Sequence, residues 1–202
     1  MLVHPLRACL ESELFDRVIV STEDDEIADA ARSAGGEVME RPESLTTDTS
    51  SIAEVCVDLL ERLAEEGYRP ELFCCVFATA VFITSEDVRN ALELLDQEPV
   101  ADLVLGVSEF NLQAHQALRE QGGFLTPMWP DLVRRKSQEL PRFVAGNGTL
   151  SWVRCAAFLD KKNFPLERMR GYETPYLRAI DIDTAADYAL AQAIADADFA
   201  QT

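Results

Sequence analysis

Residues 72–77 read Leu72-Phe73-Cys74-Cys75-Val76-Phe77, six apolar side chains without a break. Successive side chains of a strand point to opposite faces, so an unbroken apolar run predicts a strand covered on both. Two-sided cover requires helices above and below the sheet, which is an α/β architecture. Working upstream, residues 50–66 place Ile52, Val55, Cys56, Leu59, Leu60 and Leu63 on one helical face, and Gly67 and Pro70 end the helix. Downstream, Thr84 and Asp87 cap a helix running to about Gln97, with Val88, Ala91, Leu92 and Leu95 inward. Residues 102–108 form another buried strand.

The same rhythm extends to both ends. Residues 17–22 are a short β-branched strand, and residues 23–34 follow as a helix stopped by Gly35-Gly36, with Thr22 and Asp25 resembling its cap. Strands are predicted near 150–153 and 177–181, and a last helix from Thr184 to about Asp196. Buried strands separated by helices give an α/β fold with a mostly parallel sheet and helices on both faces. Ligands of such sheets bind beyond the carboxyl ends of the strands. That rule points to Ser21-Thr22, Arg41 onward, Ala78-Thr79 and Asp181-Ile182-Asp183.

Between 109 and about 150 the rhythm breaks. Gly122-Gly123, Pro127, Pro130, Arg134-Arg135-Lys136, Pro141 and Gly146-Asn147-Gly148 read as an inserted lobe of loops and short strands. The expected organisation is therefore an α/β domain over 1–108 and 150–202, interrupted by a lobe over 109–149.

The formal net charge of −18 excludes a general nucleic-acid binder, because nothing here neutralises phosphates along a duplex. A few basic groups and a metal can still reverse the field inside a cleft that takes a small anion. No apolar run approaches the length of a membrane span, and the opening MLVHPLRACLESE is unlike a secretory signal. The cysteines are Cys9, Cys56, Cys74, Cys75 and Cys155; their odd number and the absence of CxxC predict reduced thiols, as in the cytoplasm. Cys74 and Cys75 should face opposite sides of their strand.

Four groups of residues carry candidate chemistry. Asp181 and Asp183 alternate along one face, and two carboxylates with a triphosphate make a magnesium site, although Asp183-Thr184 could equally open the last helix. Arg41 has a fork that reads a base carbonyl or a phosphate, or it is a surface arginine. Asp48, Thr49, Ser50 and Ser51 precede the long helix, where a serine can cap it or share its N-terminus with an anion. Arg134, Arg135 and Lys136 can accept a carboxylate or pyrophosphate, or pair with acidic neighbours. No cysteine or acidic residue stands at a motif spacing from His4 or His115, so both read as structural or surface residues. GxSxG, HExxH, Walker A and GxGxxG motifs are absent.

Taken in order, VIVSTEDDEIA, the Gly-Gly turn, RPESLTTD, CCVFATAVF, SQELP, NG and DIDTAADY resemble the acylneuraminate cytidylyltransferase family, closest to its pseudaminic acid branch. The resemblance covers nearly the whole chain. It implies a Rossmann-like sheet with a small dimerisation lobe, a cytoplasmic homodimer, and transfer of CMP from CTP to a nine-carbon sugar acid with Mg2+ and release of pyrophosphate. By resemblance Asp181 and Asp183 are the metal pair. Arg41, Ser50, Ser51 and Thr79 lie at the nucleotide, and Arg135, Gln138 and Asn147 lie at the sugar acid.

The sequence also departs from the family. Relatives open with a strand and an Ile-Pro-Ala-Arg-Gly-Gly-Ser-Lys loop that holds the triphosphate, whereas MLVHPLRACLES matches the helix after that loop. Val81 replaces a usual Pro, Phe77 a Tyr or Gln, Ala145 an Arg or His, and Thr149 a Gln or Ala. Compensation for the lost cation falls to Arg142 or the 134–136 cluster. The alternative expectation is a catalytically degenerate homologue that serves as a dimerising or regulatory subunit.

Overall fold

The 72–77 run forms a strand at the meeting of two cores. The computed structural model describes residues 1–47, 49–110 and 114–197. In chain order, α1 (Val3–Ser12), β1 (Ile19–Thr22), α2 (Asp25–Ser33) and β2 (Glu37–Glu40) lead into α3 (Ile52–Glu65), β3 (Leu72–Val76), α4 (Ser85–Asp96) and β4 (Leu103–Glu109). The lobe contributes β5 (Leu118–Gln121), β6 (Phe124–Pro127) and α5 (Pro130–Val133). β7 (Val144–Arg154), α6 (Cys155–Lys161), β8 (Met169–Glu173) and α7 (Ala185–Asp196) complete it.

The main sheet has the order β3-β7-β4-β8. β4 and β8 pair in parallel, while β7 runs antiparallel to both β3 and β4. β3, β4 and β8 thus share one direction and β7 alone is reversed. β1 and β2 form a separate parallel pair. This is the mostly parallel α/β sheet that the alternating pattern predicts.

Alternation along β3 divides its side chains between two cores. Leu72, Cys74 and Val76 pack with Val88, Ala91 and Leu95 of α4 and with Ala8 of α1. Phe73 and Cys75 pack with Cys56 and Leu60 of α3 and Phe158 of α6. The adjacent cysteines therefore face opposite sides, as expected, and all five cysteines are free thiols. Burial pushes Cys9 and Cys155 each up to about 11. In the first core Trp152 donates its indole N–H to Val88 O at 2.9 Å and stacks on Phe15 at 5.0 Å.

β3 is nevertheless only half-buried along its length. Its second edge is unpaired, and so is the second edge of β1. Both line one cavity of about 700 Å³, together with Leu2, Phe15, Val55, Cys56 and Leu59. The sheet is split by an apolar slot between β1 and β3.

Three expectations need correction. The cap of α2 is Asp24, which accepts from Ile27 N at 2.9 Å, while Thr22 Oγ1 accepts from Asp24 N. The strand expected near 150–153 runs from Val144 to Arg154, because Val144, Ala145 and Gly146 pair again with Glu109, Ser108 and Val107 beyond a bulge in the β4 ladder that holds Asn147 and Gly148. The strand expected at 177–181 lies earlier, at Met169–Glu173. A polar edge strand hides from an apolar count, and Tyr176–Arg178 form a 3-10 turn instead. No described helix is long and apolar enough to cross a membrane.

Candidate functional site

The carboxyl ends of β1, β3 and β4 carry most of the residues singled out from sequence. Arg41 follows β2 and turns back onto β1, donating Nη2–H to Ser21 O at 2.6 Å and Nε–H to Ser21 Oγ at 3.4 Å. Glu23 lies 3.8 Å from its Nη1. The guanidinium is therefore held at the mouth of the slot, with part of its donor set still open to solvent. Thr79 sits half-buried in the turn after β3, where its carbonyl accepts from Val81 N at 2.8 Å.

The two serines separate in role. Ser51 is the N-cap of α3: its Oγ accepts from Glu54 N, and Glu54 returns its carboxylate to Ser51 N and Oγ at 2.7 and 2.8 Å. Ser50 hydrogen-bonds the Thr47 hydroxyl at 2.8 Å and takes no part in the cap. Asp48, named with this cluster, lies outside the described residues.

Asn147 is held from both sides within β7. Its Nδ2 donates to Ser108 Oγ at 3.0 Å, and its Oδ1 accepts from Thr149 N and Thr149 Oγ1 at 3.2 and 2.7 Å. Ser108 passes its proton on to Thr174 O at 2.7 Å. Gly106 makes room for this chain, since a Cβ there would lie 2.2 Å from Thr149 Oγ1 and 2.7 Å from Asn147 Oδ1. Next to Asn147, Gly148 has φ +64°, and a Cβ built on it would stand 3.3 Å from Asp181 Oδ2. The fold thus brings Asn147, Gly148 and Asp181 together from segments far apart in sequence.

Asp181 and Asp183 are exposed in the irregular segment between the 3-10 turn and α7, not on a strand as expected, and Thr184 caps that helix with Asp187. The donors fit a hard divalent cation: two carboxylates at a sheet end, beside a glycine that leaves space over one of them. Among the described residues no group of three or more His, Cys, Asp or Glu could hold a metal. A cation here would take its remaining oxygens from phosphate and water, which is the habit of Mg2+.

Arg135 and Gln138 lie apart, exposed in the lobe between α5 and Leu140, and among the described residues neither makes a side-chain hydrogen bond or ion pair. Arg142 does not stand free to replace a cation at Ala145, for it pairs with Glu109 and Glu173. Those two partners hold its guanidinium above its ordinary pKa.

Sequence reasoning missed the partners of Asp87. This carboxylate caps α4 by accepting from Thr84 N and Oγ1 at 2.8 and 2.7 Å. It also accepts from Tyr172 Oη at 2.7 Å and from both terminal nitrogens of Arg178 at 2.7 and 3.1 Å. Burial pushes the Asp87 carboxyl up, but the hydrogen bonds from Arg178, Thr84 and Tyr172 outweigh it and hold it below the usual carboxylate value. Burial and then the Asp87 carboxylate push Tyr172 up to about 12. The only sequence signal was the cap spacing, since Arg178 lies 91 residues away.

An α/β sheet with its polar residues gathered past the strand ends is the architecture of nucleotide-binding proteins. Within that class the family is defined by a cytidylyltransferase model that matches residues 1–121, and the chain belongs to that family. It is 23% identical over 194 residues to a Helicobacter pylori protein named pseudaminic acid cytidylyltransferase and UDP-2,4-diacetamido-2,4,6-trideoxy-beta-L-altropyranose hydrolase. That match covers 96% of the chain but 37% of the relative. It is 26% identical over 196 residues to CMP-N,N'-diacetyllegionaminic acid synthase of Legionella pneumophila, covering 95% of the chain and 83% of that protein. The solved structure of CMP:2-keto-3-deoxy-manno-octonic acid synthetase complexed with CTP shares the fold, with a TM-score of 0.64 at 13% identity over 96% of this chain and 88% of that one.

Proposed function

We propose that the chain transfers CMP from CTP to a nonulosonic sugar acid of the pseudaminic or sialic acid type, releasing pyrophosphate. The observation that carries this reading is the placing of Asp181 beside Gly148, next to Asn147 of β7, in a cytidylyltransferase-family chain. The names of its relatives, which specify pseudaminic and diacetyllegionaminic acids, support the substrate class. The same reading carries a cytoplasmic homodimer joined through the lobe.

The chain's residues take these parts. Arg41 and Ser50, with Thr79, face the nucleotide from the ends of β1, α3 and β3. Arg41, already held by Ser21, offers its remaining donors to a base carbonyl or a phosphate oxygen with little loss of side-chain freedom. Asn147 is fixed by Ser108 and Thr149, so the backbone of its turn stands ready for the sugar acid. Asp181 and Asp183 would hold Mg2+, which when bound neutralises charge on the triphosphate. The anomeric hydroxyl is a weak nucleophile at a highly charged phosphorus, so positioning and charge neutralisation carry the reaction.

The pairing of Arg142 with Glu109 and Glu173, which keeps it from replacing a cation at Ala145, favours one second reading, a degenerate homologue that retains the fold as a dimerising or regulatory subunit. Pyrophosphate release from CTP, Mg2+ and a panel of nonulosonic acids separates the two. The chain is measured alone and with an apolar strand and phosphate-binding loop added ahead of Met1. Release that falls by at least about 100-fold in Asp183→Ala is expected for the enzyme. No release from either form, and no binding of CTP, would overturn it.

A further inference from the structure

Two loops at the sheet end are tied together by one buried ion pair. The loop after β3 carries Thr79 and runs directly into α4, whose first turn contains Asp87. The segment after β8 carries Arg178 and then Asp181 and Asp183. Asp87 and Arg178 meet in a two-pronged pair, with side chains 5% and 16% exposed. Five donors converge on the Asp87 carboxylate, from Thr84, Tyr172 and Arg178, so its acceptor capacity is used up.

The position of the pair along the chain gives it a role. Upstream, the segment is moored at Thr174, whose N–H bonds Val107 O and whose carbonyl takes the Ser108 hydroxyl. Downstream, it is moored by the Thr184 cap of α7. Between these anchors lie two short turn bonds, Arg178 N to Pro175 O and Ala179 N to Tyr176 O, and the side chain of Arg178. Ala179 and Ile180 are buried immediately behind that side chain, and Asp181 emerges next, against Gly148. A guanidinium with two parallel bonds to a fixed carboxylate sets orientation as well as distance.

We propose that Arg178 is a positioning residue, latched by Asp87, that fixes the Asp181–Asp183 segment for cation binding and ties it to the Thr79 loop. This inference rests on the reading of Asp181 and Asp183 as a cation pair. It adds two residues that touch neither nucleotide nor metal.

The test uses the full chain and two readouts, neither of which is turnover. Hydrogen exchange is followed on peptides covering 174–183, with β4 peptides reporting the integrity of the fold. Mn2+ binding is followed by electron paramagnetic resonance in the presence of CTP. Arg178→Ala should speed exchange in 174–183 by about tenfold or more while β4 stays protected. The same variant should weaken Mn2+ by about tenfold, the usual effect of losing a group that orients a ligand. Arg178→Lys should recover part of both, keeping the charge but not the fork. Tyr172→Phe, which removes a bond to Asp87 without touching the segment, should change neither. Unchanged exchange in a folded Arg178→Ala overturns the latch. Faster exchange with wild-type Mn2+ affinity overturns the positioning role. A wild-type chain that binds no Mn2+ with CTP overturns the cation reading itself and the positioning built on it.

Discussion

At the scale of single residues the site is made of groups whose partners are already chosen. Arg41 is spoken for by Ser21, Asn147 by Ser108 and Thr149, and Asp87 by three neighbours. Among the described residues Asp181 and Asp183, like Arg135 and Gln138 in the lobe, stand exposed without such commitments. Asp87 supplies a prediction with a definite sign. Its carboxyl is held below the ordinary value, so the stability it contributes is present above about pH 4 and is lost as the pH falls through its lower, folded-state value. Asp87→Asn should cost about 2 kcal/mol at neutral pH, from lost charge-assisted bonds in a buried place. The gap between wild type and variant should close on acidification. Urea unfolding at a series of pH values measures it, and a gap that persisted unchanged well below pH 4 would remove Asp87 as the cause.

At the scale of elements, the cap residues divide structure from binding. Ser51→Ala removes the reciprocal cap of α3 and should lower stability by about 1 kcal/mol. Ser50→Ala should leave stability close to wild type, because among the described residues its hydroxyl bonds Thr47 and not the cap, and on the proposed nucleotide role it should weaken CTP. Thermal melts paired with nucleotide titration of the two variants check the division, and equal loss of stability in both would erase it. These elements also show what is legible in the sequence. Thr84 with Asp87 and Thr184 with Asp187 announce their helices, because a cap is a local event three residues long. β3 and β4 announce themselves because both their faces are apolar. β8 does not: Met169-Arg170-Gly171-Tyr172-Glu173 is an edge strand, and its burial depends on what lies across it. The first half of β7 reads as a turn, since Asn147 and Gly148 lie in a bulge of the β4 ladder, folded into the space that Gly106 leaves opposite. The Asp181–Asp183 reading rests on spacing along a strand, and the strand lies earlier, at Met169–Glu173, so the alternation does not align the two carboxylates. The latch behind the pair was not legible, because nothing in a sequence marks a partner so far along the chain.

At the scale of the whole molecule, one feature dominates: the sheet is two pieces with a slot between them. Among the described residues β1 and β3 present unpaired edges to the same apolar cavity, lined by side chains of α3, and to a smaller one lined by Pro5, Leu6 and Cys9 of α1. Unpaired strand edges beside exposed apolar surface invite pairing with another strand. Leu2, at the start of α1, lines the slot beside Ala78, at the carboxyl end of β3. A strand lying parallel to β1 and β3 would therefore finish beside the first residues of α1 and could enter the helix through a short loop, making a βαβ unit. Added ahead of residue 1, an apolar strand of five residues with such a loop should raise Tm by several degrees and reduce binding of an apolar dye. One or two kcal/mol is enough for that shift in a domain of this size. A five-residue strand of Ser and Asn with the same loop controls for length and should do neither. The outcome also bears on function, because the slot opens at the strand ends where Arg41 and Thr79 lie. Closing it would place the added loop beside the nucleotide side of the site. If the apolar strand left both Tm and dye binding unchanged, the slot between β1 and β3 would not be a seat for a strand, and the added loop would have no defined place beside Arg41 and Thr79.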